Sequence, residues 1–180
     1  QDPLLVSTIW GAYSNACNKK DLIFSICDQS DNPVKINELP FAQQIRYDHV
    51  DPLFAKGPCW ARHRAQSFYA AEEYFLQIDS HTQFLPDWDI LFIESLSKIE
   101  ALGSHDNYFN KPIITSYPRG FEVVDFEKGL FSLHSGDKHT QVITYREDSI
   151  FSRGSFSRQI GMPTKHSEIT HAFLMAAGCI

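Results

Sequence analysis

The alternation of apolar strands and amphipathic helices is the sequence feature that most limits what this chain can fold into. Residues 2–21 carry apolar side chains at helical spacing, with Pro3 at a tolerated first-turn position. The short apolar run "LIFSICD" follows and is typical of a buried strand, and a second strand is predicted over residues 45–50. Because strands that alternate with helices favour parallel pairing, this pattern predicts an α/β fold.

The middle of the chain continues the alternation. The segment "GPCWARHRAQSFYAAEE" (residues 57–73) is predicted to be a helix, and "YFLQID" (residues 74–79) has the near-continuous apolar character of a central parallel strand. The next helix, "DWDILFIESLSKIEAL", starts with Asp87 as its N-cap, and a further strand is predicted over residues 113–116. The expected architecture is therefore a mostly parallel central sheet flanked by helices.

The C-terminal third has a different pattern. From Arg119 to about Lys165, charged residues, glycines and short apolar pieces predict small antiparallel strands or loops. The final stretch, "THAFLMAAGCI", is compatible with either a helix or a strand, because periodicity does not separate the two.

Composition excludes several classes of protein. With 180 residues, 43% of them apolar, the chain is long enough for one globular domain with a real core. Its net charge of −6 does not indicate nucleic-acid binding, which is typical of basic domains. No apolar run approaches the roughly 20 residues that span a bilayer. The four cysteines are scattered without a CxxC pair, which argues against a zinc or redox motif. Few cysteines beside eight histidines favour a reducing, cytoplasmic location.

Asp79 and His81 form the most suggestive polar pair. They follow the apolar run directly, and ligands of α/β sheets bind beyond the carboxyl ends of the strands. Residues i and i+2 of an extended chain point to the same side, so a carboxylate oxygen and an imidazole nitrogen can approach one point. Such donors suit Mn²⁺, or Mg²⁺, bound together with phosphate oxygens. The alternative is that both residues simply cap the next turn.

Other candidate residues lie near predicted strand ends and helix starts. Arg62, in the first turns of a helix, is predicted to bind phosphate, or otherwise to pair with Glu72 or Glu73. Trp88 is predicted to stack on a sugar ring, with core packing at a helix start as the alternative. Further polar residues close to these positions are Gln29, Asp89 and Arg119. Gln29 is predicted to contact the nucleotide, and Asp89 and Arg119 to contact the substrate.

Two stretches carry a resemblance to a known family. The segments "GPCWARHRAQSFYAAEEYFLQIDSHTQFLPDWDILFIESL" and "IITSYPRGFE" resemble the N-acetylglucosaminyltransferase family, which includes UDP-GlcNAc:hydroxyproline polypeptide transferases. The phrase "YFLQIDSHTQF" followed by "DWD" is the most specific part. A weaker likeness in "DPLLVSTIWGAYSNACNKKDLIFSICDQSD" extends the resemblance to roughly two thirds of the chain.

The resemblance implies a GT-A fold and a DxD-type metal motif, here in the variant form Asp79-Ser80-His81. It implies a metal-dependent enzyme that transfers N-acetylglucosamine from UDP-GlcNAc to a hydroxyl group of a protein or glycan, with retention. It does not assign a catalytic side chain. It also places Asp2 at the end of a first strand, where such folds bind uridine, although an N-cap role is an equal alternative.

The resemblance also sets expectations for domain organisation. We expect a single domain over residues 1–180, with a nucleotide-sugar-binding part (1–118) and an acceptor-side part (119–180). The family has a strand before Asp2-Pro3 and continues beyond Ala176-Gly178, so the domain is expected to be incomplete at both ends.

Two competing functions stay open at the level of sequence. A metal-dependent nucleotidyltransferase would use a similar α/β sheet and metal site. A nucleotide- or sugar-binding module with a vestigial site would keep the binding residues without turnover. The sequence specifies neither the acceptor nor the oligomeric state.

Overall fold

The first helix and the first two strands carry the core of the fold. The computed structural model describes residues 2–103, 114, 120–125, 130–133, 140–144, 155–159 and 178–179. Helix α1 spans Leu5–Asn15, as predicted, and buries Ile9 and Ala12. The core cluster contains Ile9, Ile26 and the fully buried Phe41, on which the ring of Tyr13 stacks at 3.9 Å.

Strands β1 (Phe24–Asp28) and β2 (Ile45–His49) pair in parallel, which confirms both predicted strands and their direction. Phe24 lies opposite Ile45, and Asp28 lies opposite His49. The connection between them runs through short 3₁₀ turns at 36–38 and 42–44. The carboxyl ends of the two strands therefore meet at Asp28 and His49.

Helix α2 (Pro58–Gln66) begins as predicted but is shorter than predicted. Gly57 adopts a φ of 88°, which suits glycine, and Pro58 occupies the first helical position. The helix ends at Gln66 and does not continue to Glu73. The residues after Gln66 are not helical. Ala71 has a φ of 69°, in the left-handed region, which is incompatible with a continuous right-handed helix.

The central strand predicted over residues 74–79 is wrong. These residues form no strand pairing with the other described residues, and Tyr74 and Phe75 are about half exposed. An apolar run indicates a tendency to be buried, but a strand also needs a neighbouring backbone to accept its hydrogen bonds. The first paired residues come later, in β3 (Thr82–Gln83), which pairs in parallel with β8 (Gly178–Cys179).

Helix α3 (Trp88–Gly103) confirms the third predicted helix. Asp87, directly before it, has a φ of 60°, and its N–H donates to the carbonyl of Asn15 at 2.7 Å. This bond fixes the start of α3 against the end of α1.

The later strands form two antiparallel pairs, as predicted for this part of the chain. Strand β4 (Phe121–Asp125) pairs with β5 (Leu130–Leu133), and β6 (Thr140–Thr144) pairs with β7 (Ser155–Gln159). The C-terminal stretch contributes a strand, β8, at its described residues. The strand predicted over residues 113–116 lies outside the described residues except for Ile114, which is not in a strand.

The protein is thus a mixed α/β structure with a two-stranded parallel sheet and helices. A larger parallel sheet of GT-A type and the division at residue 118 stay predictions. Within the described ranges, no helix combines the length and the apolar character needed to cross a membrane.

Candidate functional site

The Asp79-Ser80-His81 segment is held against helix α1 by hydrogen bonds to a buried threonine. The hydroxyl of Thr8 donates to the carbonyl of Ser80 at 2.7 Å and accepts from the N–H of Thr82 at 3.0 Å. The hydroxyl of Thr82 donates to the carbonyl of Asp79 at 3.0 Å, and both threonines are almost completely buried. These bonds fix the position of the segment, although no strand precedes it.

Asp2 binds two members of this segment. Its Oδ2 atom accepts from the Ser80 hydroxyl at 2.8 Å and lies 2.7 Å from Nδ1 of His81, while its Oδ1 accepts from the N–H of Leu4 at 2.9 Å. Burial raises the pKa of Asp2, but the hydrogen bonds from Leu4, His81 and Ser80 outweigh burial and bring that pKa below its ordinary value. Asp2 is therefore a carboxylate at neutral pH.

Arg62 of α2 pairs with Asp79. Its guanidinium lies 2.6 Å from Oδ1 of Asp79, and both side chains are largely buried, with 19% and 17% of their surface exposed. The alternative predicted from sequence, a pair with Glu72 or Glu73, is wrong, because the carboxylate that pairs with Arg62 is that of Asp79, and Glu72 binds Arg46. The structure therefore brings together four predicted site residues from distant parts of the chain: Asp2, Arg62, Asp79 and His81.

A large cleft adjoins this cluster. Its volume is about 1500 Å³, and its walls come from α1, β1, α2, α3 and the 72–80 segment. Of the predicted site residues, those that line the cleft are Asp2, Gln29, Arg62, Asp79, Trp88 and Asp89. The space is large enough for a nucleotide-sized ligand, since small-molecule sites measure roughly 300–1,000 Å³.

Gln29 has an unusual environment in this cleft. Its side-chain Nε2 is buried and has no hydrogen-bond partner among the described residues. Buried polar groups are nearly always paired, so an amide that lines a cleft without a partner is a candidate ligand contact.

The loop that carries Gln29 is held by a buried carboxylate that the sequence analysis did not single out. Asp28 accepts from the N–H groups of Ser30 (3.0 Å) and Val34 (3.2 Å) and from the hydroxyl of Tyr47 (2.6 Å). Burial raises the pKa of Asp28, but these donors lower it below its ordinary value. The available signal was an aspartate at the end of an apolar strand with a tyrosine on the neighbouring strand.

Trp88 and Asp89 have structural partners. Trp88 donates its indole N–H to the carbonyl of Ala12 at 2.9 Å, and its ring lies 4.6 Å from that of Phe84. Asp89 is 6% exposed and accepts from the N–H groups of Cys17 (2.9 Å) and Asn18 (2.8 Å). Their predicted substrate contacts stay predictions, and Arg119 lies outside the described residues.

Asp79 and His81 each keep one donor atom of a type that divalent ions accept. Asp79 uses Oδ1 to bind Arg62 and His81 uses Nδ1 to bind Asp2, while Oδ2 of Asp79 and Nε2 of His81 have no hydrogen-bond partner among the described residues. No group of three or more metal-binding side chains occurs in the described part of the chain. Two protein donors suit Mn²⁺ or Mg²⁺, whose other positions are filled by phosphate oxygens and water.

Comparison with known proteins places the chain in a family. The family model described as "Glycosyltransferase (GlcNAc)" matches residues 9–180, a range that includes Arg62, Asp79 and His81. No curated protein and no solved structure matches the chain.

Proposed function

Because the chain belongs to the GlcNAc glycosyltransferase family, we propose that it transfers N-acetylglucosamine from UDP-GlcNAc to a hydroxyl group of a protein or glycan, with retention and with a divalent metal. Family membership supports glycosyl transfer in general. The observation that carries the more specific proposal is that Asp2, Arg62 and Asp79 line one cleft of about 1500 Å³, while His81, which does not line it, is bonded to Asp2.

In this proposal, Asp79 and His81 hold the metal ion, with Mn²⁺ as the first candidate and Mg²⁺ as the second. A bound divalent ion neutralises charge on the diphosphate and so makes UDP a better leaving group. The Thr8 and Thr82 hydrogen bonds keep the backbone of the 79–82 segment in place, so the two donors do not need to be ordered when the ligand binds.

Arg62 provides a second positive charge at the same position. Its guanidinium is held on Asp79, lines the cleft, and has the planar set of donors that matches phosphate oxygens. We propose that Arg62 binds the donor diphosphate next to the metal.

Gln29 and Asp2 are proposed to contact the nucleotide. The unpaired Nε2 of Gln29 has N–H donors to offer, and both residues line the cleft. Trp88, Asp89 and Arg119 stay as proposed substrate contacts, and no side chain is assigned as nucleophile or base.

Calorimetry of UDP binding with and without MnCl₂ tests the metal site. The wild-type protein should bind UDP more tightly with Mn²⁺, and Asp79→Asn should remove that gain. Asp48→Asn is a matched control, because Asp48 also pairs with an arginine, Arg64, but does not line the cleft. Equal loss in both variants, or normal metal-assisted binding in Asp79→Asn, would contradict the proposal.

Turnover separates the proposed enzyme from its rivals. Transfer of radiolabelled sugar from UDP-GlcNAc to an acceptor supports the glycosyltransferase. Release of pyrophosphate from a nucleoside triphosphate would identify a nucleotidyltransferase. Tight metal-dependent UDP binding without either reaction would identify a binding module.

A further inference from the structure

The contact between Asp2 and His81 has a consequence for the imidazole ring. An ionised carboxylate can only accept hydrogen bonds, so the nitrogen that faces Asp2 must carry a hydrogen. That nitrogen is Nδ1, at 2.7 Å from Oδ2 of Asp2. When the ring is neutral, Nε2 therefore holds the lone pair, and Nε2 has no hydrogen-bond partner among the described residues.

The carboxylate of Asp2 is itself fixed. It accepts from the N–H of Leu4 and from the hydroxyl of Ser80, in addition to His81. The carbonyl of Ser80 is bound in turn by the buried hydroxyl of Thr8. The ring of His81 is therefore held by Asp2, and the backbone next to it is held by Thr8.

We propose that Asp2 is a positioning residue that holds His81 in the Nδ1–H tautomer and so makes Nε2 available as the metal ligand. Metal-binding histidines usually donate their other ring N–H to a carboxylate or carbonyl, which fixes the ring and raises its basicity as a ligand. This inference rests on the proposed metal-dependent function, and it gives Asp2 a role that acts through His81.

The tautomer can be measured without metal or activity. In protein labelled with ¹⁵N-histidine, long-range ¹H–¹⁵N correlation spectra of the neutral ring should show His81 protonated at Nδ1 and unprotonated at Nε2. Asp2→Ala should shift the ring towards a mixture of tautomers, because the acceptor is lost. Asp2→Asn keeps an amide oxygen that can accept from Nδ1 and should restore the wild-type tautomer in part. A neutral wild-type ring that carries its hydrogen on Nε2 would overturn the inference.

Mn²⁺ affinity in a double-mutant cycle tests whether Asp2 acts through His81. Asp2→Ala should weaken Mn²⁺ binding by about 10- to 100-fold, because mutating the hydrogen-bond partner of a metal-binding histidine has an effect of this size in other metalloproteins. In a His81→Ala background, Asp2→Ala should cause no further loss, because the ring it positions is absent. A further loss in that background would make Asp2 a direct ligand and overturn the inference.

A second variant guards against a general folding defect. Ser80→Ala removes one donor to Asp2 without touching the Nδ1 contact, so it should leave the His81 tautomer unchanged and Mn²⁺ affinity within about threefold of wild type. Loss of the Nδ1–H tautomer in Ser80→Ala would overturn the inference.

The cycle also separates this inference from the proposed function. Unchanged Mn²⁺ affinity in Asp2→Ala, with wild-type protein that still binds Mn²⁺ and UDP, would overturn only the inference. A wild-type protein that binds no Mn²⁺ at all would overturn the metal-dependent function together with it, whatever the tautomer.

Discussion

Two aspartate sites face the same cleft, and their hydrogen bonding differs. At the end of β1, Asp28 is 4% exposed, and its carboxylate accepts from Ser30, Val34 and Tyr47. In the 79–82 segment, Asp79 binds Arg62 through one oxygen only, and His81 binds Asp2 through one nitrogen only.

The difference shows how a carboxylate that stabilises the fold can be told from one that is available to a ligand. Both oxygens of Asp28 accept hydrogen bonds, Oδ1 from Ser30 and Oδ2 from Val34 and Tyr47, so this site is complete without a ligand. Asp79 and His81 each keep one atom without a partner among the described residues, although their backbone is firmly held. We therefore expect mutations at Asp28 to reduce stability and mutations at Asp79 to reduce binding.

The largest effect is expected for Asp28→Ala. The change leaves the N–H of Ser30 and the hydroxyl of Tyr47 without their acceptor, while the N–H of Val34 keeps the hydroxyl oxygen of Tyr47. We expect a loss of about 3–5 kcal/mol in the free energy of unfolding, since each orphaned donor costs roughly 1–3 kcal/mol. Urea unfolding followed by circular dichroism measures it. Asp31→Ala, in the same loop but exposed, is the control and should stay within about 0.5 kcal/mol of wild type. Equal stability of the two variants would remove the distinction between the sites.

Asp89→Ala is expected to have the next largest effect, about 2 kcal/mol, because the N–H groups of Cys17 and Asn18 lose their acceptor. Burial raises the pKa of Asp89, but these backbone donors lower it below its ordinary value. The stabilisation is therefore present above the unfolded-state pKa of about 3.9 and is lost as the pH falls through the lower folded-state pKa.

The difference in unfolding free energy between wild type and Asp89→Ala should accordingly shrink in strong acid. Glu94→Ala, on the exposed side of the same helix, is the control for this series. A difference that stays constant down to about pH 2 would show that the ionised carboxylate of Asp89 is not what stabilises this region.

Tyr47→Phe should have a smaller effect, about 1–2 kcal/mol, because Asp28 keeps its two backbone donors. Burial and the neighbouring Asp28 carboxylate raise the pKa of Tyr47 far above its ordinary value of 10.0. The hydroxyl's contribution is thus fully present below the unfolded-state pKa of about 10 and is lost as the pH rises through the folded-state value. Unfolding measured between about pH 8 and 11 should show wild type approaching Tyr47→Phe at the alkaline end; parallel curves would contradict this assignment.

The sequence predicted local elements better than pairings. Strands β1 and β2 and helix α3 were predicted because apolar spacing reports which face of a segment is buried. The same reasoning failed for residues 74–79, because their apolar character says nothing about whether a neighbouring strand is present to pair with them.

At the candidate site, too, the sequence indicated the residues better than their partners. The residue types at Asp79, His81 and Arg62 indicated a binding site, and the structure brings them close to one another. The sequence did not indicate the partner of each residue. Arg62 pairs with Asp79 and not with Glu72 or Glu73, and His81 binds Asp2, which lies just before the start of α1. Such choices depend on tertiary distances, which no local spacing encodes.

The smallest effect on stability is expected for Asp79→Asn, and it is the sharpest test of the comparison. The amide oxygen can still accept from Arg62, and both side chains line the cleft, so the free energy of unfolding without ligand should change by about 1 kcal/mol or less, the usual contribution of one hydrogen bond. With saturating Mn²⁺ and UDP the two proteins should separate, because a ligand at 100 times its Kd stabilises the folded state by about 2.7 kcal/mol and the variant should not gain this. Thermal unfolding with and without both ligands measures the difference. A loss of about 3 kcal/mol or more without ligand would instead make Asp79 a structural carboxylate like Asp28, and the contrast between the two sites would then be lost.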